Sequence, residues 1–137
     1  MNKSKGFTMI ELIVVVAIIA VLAAVVSVSV VGYLNKGKDA AAKAQLSGLS
    51  TQATVFYDNN NTYTGVCSDT AVAAFLTGID NSIGTLKRDC NDSATAWAAC
   101  HQLLSKDYYF CADSTGVKKE IATKTTCVAA WAAAVCP

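Results

Sequence analysis

The sequence predicts an α+β protein: a long N-terminal helix, apolar on every side at first and amphipathic later, laid on a small antiparallel, disulfide-rich β head. Three observations carry that expectation. An uncharged run rich in Val, Ile, Leu and Ala extends from Leu12 to Asn35. Apolar residues then recur at helical spacing as far as Phe56. All six cysteines lie beyond that point, among hairpin signals. A chain of 137 residues, 53% apolar and 15% charged, has room for one core and not for separate substrate and cofactor lobes. A formal charge of +1 gives no electrostatic argument for nucleic acid, and one proline with eight glycines excludes collagen-like and Pro/Gly-rich classes.

The 24 residues from Leu12 to Asn35 would cover roughly 36 Å as a helix, more than the roughly 30 Å of a bilayer's hydrocarbon core. Lys3 and Lys5 precede the run, and Lys36, Lys38 and Lys43 follow it, so the charge bias that orients a membrane helix becomes one-sided only if the front end is removed. An ordinary secretory signal fits badly: the run is too long, and an acid, Glu11, stands inside the apolar register. A lone carboxylate in a bilayer costs about 2.5–3.5 kcal/mol on insertion scales, so Glu11 calls for a specific partner.

The segment Lys5-Gly6-Phe7-Thr8-Met9-Ile10-Glu11-Leu12, followed by Ile13 to Ala24, resembles the N-terminus of a type IV prepilin. The basic leader, Gly, Phe-Thr, acid and long apolar run occur together in fixed order over about the first 25 residues; beyond them the likeness is architectural. The resemblance implies cleavage between Gly6 and Phe7 by a prepilin peptidase and methylation of the new Phe7 amine. The leader would be residues 1–6, the membrane and filament-core helix 7–35, the amphipathic continuation 36–57 and the head 58–137. It further implies a helical homopolymer raised from the cytoplasmic membrane by inner-membrane assembly machinery, with membrane lipid as the partner beforehand. In such a filament Glu11 of one subunit would meet the Phe7 amine of a neighbour, a pairing strongly favoured in low dielectric that fixes the register. Many family members carry a helix-breaking proline in the apolar run. This chain has only Pro137, so Gly32 and the β-branched stretch Val25–Val31 are the candidate soft spots.

From Lys38 to Tyr57, Ala42, Leu46, Leu49, Ala53 and Phe56 are spaced four, three, four and three apart. Phe7 to about Tyr57 therefore reads as one helix, ended by the turn cluster Asp58–Thr62, with the head beginning at Tyr63–Cys67. Thr70–Ile79, capped by Ser68 or Asp69, and Ser93–Leu104, capped by Asp92 or Ser93, read as short helices. Tyr108–Ala112, the turn Asp113–Gly116 and Val117–Thr123 read as a hairpin, with Tyr109 on the face opposite the core. The Ala-rich stretch Cys127–Pro137 fits strand or helix equally.

Cys67, Cys90, Cys100, Cys111, Cys127 and Cys136 contain no C-x-x-C pair, and His101 is the one histidine, so zinc, iron–sulfur and catalytic-thiol readings are poor and no cofactor or metal is expected. Six cysteines allow 15 pairings, and loop lengths favour local bridges within Cys67–Cys100 and within Cys111–Cys136. Bridges require an oxidising compartment, in keeping with a head exported past the membrane and finally displayed outside the cell. His101 is expected to be a solvent-facing helix residue, and Lys118 and Lys119 a solvated edge rather than a contact for DNA or a surface. Asn60-x-Thr62 and Asn91-x-Ser93 match short glycan-acceptor patterns.

With no phosphate loop, nucleophile elbow or metal cluster, an enzyme is not expected. The leading reading is a type IV pilin. The alternatives are a pseudopilin of a secretion or DNA-uptake machine and a membrane-anchored binding module that never polymerises. Loss of Lys3 and Lys5 with the leader would take the formal charge from +1 to −1.

Overall fold

The computed structural model describes residues 6–85, 88–122 and 134–136, apart from the side chain of Val28. It is an α+β structure with two compact units, residues 1–34 and residues 35–137. The helix α1 (Met9–Asn60) contributes to both. In the first unit its side chains are exposed, because aliphatic residues occupy every side and nothing within the unit covers them. The stretch around Val25–Val31 is helical like its surroundings; Ser27 Oγ donates to the Ala23 carbonyl one turn back at 2.8 Å.

The second unit is the head. Its core is the stripe expected on α1: Ala42, Leu46, Leu49 and Ala53 are fully buried and Phe56 packs beside them. The helix runs three residues further than Tyr57 before Asn61 adopts a left-handed conformation, φ 54°, while Asn61 N–H and Asn60 Nδ2 donate to the carbonyls of Tyr57 and Phe56. An Asn-rich cluster ends a helix in this way because its short amides tolerate that conformation and bond to the last carbonyls.

After a 3-10 turn at Val66–Ser68, α2 (Thr70–Ile83) buries Val72, Leu76, Ile79 and Ile83. Asp69 is its cap, accepting from the Ala71 and Val72 amides at 3.0 and 3.2 Å. The helix is a turn longer than Thr70–Ile79. Two glycines let α1 and α2 approach: a Cβ on Gly48 would lie 2.4 Å from the Phe75 ring, and one on Gly78 would lie 2.7 Å from the Gln45 side chain. At the end of α2, Asp80 takes a two-pronged contact from Arg88 at 2.6 and 2.8 Å, which fixes the entry to the sheet.

The sheet is an antiparallel meander of β1 (Arg88–Asp92), β2 (Trp97–Gln102), β3 (Tyr109–Asp113) and β4 (Lys118–Ile121), in that order. The hairpin around Asp113–Gly116 forms as expected, and Tyr109 packs on the sheet face away from the main core. The expected helix Ser93–Leu104 is instead the turn Ser93–Ala96 and strand β2. Ser93 does begin the element, but its hydroxyl accepts the Ala96 amide at 3.1 Å to close a hairpin turn rather than a helix cap. Trp97 to His101 are all buried because β2 is central, with Trp97 and Ala99 in the helix-side cluster and Ala98 and Cys100 in the opposite one. An apolar run covered on both faces shows no alternation, and its alanines then suggest helix. Strand β1 had no clear signal, being short and largely polar at the sheet edge. The stretch Cys127–Pro137 lies almost wholly outside the described residues.

Candidate assembly site

Gly6 and Phe7 lie in non-helical backbone just before α1, and Phe7 is 80% exposed. One turn on, Glu11 is tied to Thr8. Its Oε2 accepts from the Thr8 amide at 2.9 Å and from the Thr8 hydroxyl at 2.7 Å, while the Glu11 amide donates to Thr8 Oγ1 at 3.3 Å. This is a reciprocal capping box. The pattern Thr-x-x-Glu signals it in the sequence, a signal missed when Glu11 was read only as a partner for an amine. Thr8 thus supplies two donors to the carboxylate.

In the head, Cys67–Cys90 joins the 3-10 turn to β1, and Cys111–Cys136 joins β3 to the C-terminal segment, each with Cα atoms 5.9 Å apart. Cys100 is disulfide-bonded as well, and Cys127 lies outside the described residues. The second bridge is reinforced by Asp113, which is fully buried: its carboxylate accepts from the Thr115 and Val117 amides, the Thr115 hydroxyl and the Cys136 amide. Asp39 plays the matching part for α1, accepting from the Leu104 and Ser105 amides at 2.6 and 2.9 Å and from the Ser105 hydroxyl. Both acids are spaced like ordinary surface residues, so nothing in the sequence marks them as buried acceptors.

His101 is not the solvent-facing helix residue expected. It is fully buried in β2, with its ring 5.8 Å from Phe110. Nδ1 faces the Gln102 carbonyl at 3.3 Å, which makes it the protonated nitrogen of the neutral ring and leaves Nε2 without a partner among the described residues. Burial holds the His101 pKa below its usual 6.5; the Gln102 carbonyl and Asp39 oppose that shift and Lys43 adds to it. Lys118 and Lys119 are exposed on the edge strand β4. Among the described residues no cluster of His, Cys, Asp and Glu could hold a metal.

Residues 1–27 match the family model of the prokaryotic N-terminal methylation motif, the signature of type IV pilins and pseudopilins. The match covers the N-terminal 27 of 137 residues. By length and composition α1 also contains a segment able to cross a membrane, which with the motif fits a membrane-anchored precursor. No curated protein and no solved structure matches the chain.

Proposed function

We propose that this protein is the structural subunit of a type IV pilus. It is inserted in the cytoplasmic membrane, cleaved after Gly6, methylated on Phe7 and polymerised through the apolar half of α1, leaving the disulfide-bonded head displayed outside the cell. The observation that carries this reading is the methylation motif at residues 1–27 on a helix whose apolar surface is exposed on every side. Such a surface calls for lipid or another apolar surface to cover it.

Glu11 then has two successive partners. In the precursor its Oε2 is held by Thr8; in the filament it pairs with the methylated Phe7 amine of a neighbour, exchanging neutral donors for a charge. In low dielectric that exchange favours the register in which the charges meet. Replacing Glu11 with Ala is expected to abolish filaments while the protein still inserts in the membrane, as read by counting sheared fibres and by immunoblotting the membrane fraction. Filaments at wild-type abundance from Glu11→Ala would remove the pairing from the mechanism.

A further inference from the structure

The sheet sorts the cysteines of the described residues into two groups. Cys67 and Cys90 pack on the helix-side cluster, while Cys100, Cys111 and Cys136 lie together in the cluster on the opposite face. Within the second group, Cys100 on β2 stands directly opposite Cys111 on β3. Leu103 N–H donates to the Tyr108 carbonyl at 2.8 Å and Ser114 N–H to the Trp97 carbonyl at 2.9 Å, so Leu103/Tyr108 and Trp97/Ser114 are hydrogen-bonded pairs of the ladder. Such pairs alternate along antiparallel strands, which makes His101/Phe110 and Ala99/Ala112 bonded pairs and Cys100/Cys111 a non-hydrogen-bonded one. The Cα atoms of such a pair lie about 4.5 Å apart with both side chains on one face, inside the roughly 4.4–6.8 Å that a disulfide spans. Yet Cys111 is bonded to Cys136, and Cys100 has a bridge of its own.

Chain length favours the pair that the finished head does not keep. Cys100 and Cys111 are 11 residues apart in sequence, and Cys111 and Cys136 are 25 apart. Loop closure alone favours the shorter span about threefold. The hairpin that aligns the shorter pair runs from Ala98/Asp113 to Gln102/Tyr109 and uses no residue of the C-terminal segment. Hairpins form within about 10 μs and disulfides in seconds to hours, so alignment precedes oxidation. Cys136 reaches Cys111 only when the last segment docks, where its amide donates at 2.8 Å to Asp113, two residues along β3 from Cys111.

We propose that Cys111 changes partners as the head folds: it bonds Cys100 across the hairpin first, and Cys136 then displaces Cys100. The first bridge is an oxidation, in which two thiols give two protons and two electrons to a disulfide oxidant that leaves as two thiols. The second step needs no oxidant. The Cys136 thiolate attacks Cys111 Sγ, the Cys111–Cys136 bond forms as the Cys100–Cys111 bond breaks, and Cys100 leaves as a thiolate. A second oxidation of the same kind then places Cys100 in the bridge that it holds in the finished head. The Asp113 contact keeps Cys136 beside Cys111 and draws the exchange forward. Cys67 and Cys90, on the other face of the sheet, close independently. Covalent attachment of the C-terminal segment is therefore a late step, and the Cys100–Cys111 hairpin is the substrate that the chain presents to a thiol–disulfide isomerase.

The test reduces the full-length chain in detergent micelles and reoxidises it with glutathione disulfide. Samples are quenched with acid at intervals and alkylated, and their bridges are mapped by mass spectrometry after proteolysis. Wild type is expected to show Cys100–Cys111 first, in about tenfold excess over Cys111–Cys136, and to lose it as Cys111–Cys136 rises. In Cys136→Ser the Cys100–Cys111 bridge should persist to the end of the time course. Ala99→Pro removes a ladder amide from the hairpin and should cut the early excess to about the threefold that loop length alone supplies. Because that excess is read before the head folds, a folding defect in the variant does not obscure it. Early species that hold Cys111–Cys136 without Cys100–Cys111, or a Cys100–Cys111 bridge that remains in the wild-type end product, overturn the proposal. So does a Cys136→Ser chain in which Cys111 is bonded to glutathione or to any other cysteine. An unchanged excess in Ala99→Pro overturns the strand register as its cause.

Discussion

Asp39, Gly48 and His101 each bear on how the head holds together, through a bond, a space and a proton respectively. Asp39 gathers two backbone amides and a hydroxyl, so Asp39→Ala strands donors in a buried turn and is expected to cost about 1–3 kcal/mol in denaturant titration. Gly48 leaves room for the Phe75 ring; Gly48→Val forces the ring aside and is expected to cost about 1–3 kcal/mol by the same measurement. His101 acts through pH. Its folded pKa lies below the unfolded value, so the unfolded chain binds the proton more readily. Its contribution is complete above the unfolded pKa, near 6.5, and is lost as pH falls below it. The melting temperature is therefore expected to drop between pH 7.5 and pH 5, and His101→Leu to drop less over the same interval. Equal slopes for the two proteins would show that the ring does not titrate on unfolding. Glu120, held below the usual carboxylate range by hydrogen bonds from Lys43 and Lys106, acts in a lower window and leaves this comparison intact.

At the scale of elements, what the sequence discloses follows from how many faces each element buries. The second half of α1 buries one stripe, and the 4-3-4-3 spacing exposes it without ambiguity. The β3–β4 hairpin was legible because Asp-Ser-Thr-Gly closes it. Strand β2 was not: covered on both faces, it loses its alternation, and His101 inside it was misplaced for the same reason. The acids Asp39 and Asp113 were illegible because their role is set by backbone amides far away in sequence. The bridges add to a core whose strands are only four to six residues long. Each closes a span of 23 or 25 residues, so Cys67→Ser/Cys90→Ser is expected to destabilise the head by about 2–4 kcal/mol in urea under oxidising conditions. A change well under 1 kcal/mol would mean that the α1–sheet core suffices alone.

For the whole molecule, the chain combines an N-terminal unit whose apolar side chains are exposed on every side with a head held by its own core, capped turns and bridges. That division of labour suits the proposed filament subunit, in which one part would exchange lipid for copies of itself and the other would stand outside the cell. The methylation motif was readable from residues 1–27, and Thr8-x-x-Glu11 carries the sequence signal of the capping box that the geometry displays. The measurement closest to the central claim is the intact mass, without reduction, of the subunit recovered from sheared surface fibres. The account predicts a chain that starts at methylated Phe7 with all six cysteines oxidised in pairs. A chain that retains Met1 and is confined to the membrane fraction, with none in the sheared material, would contradict it.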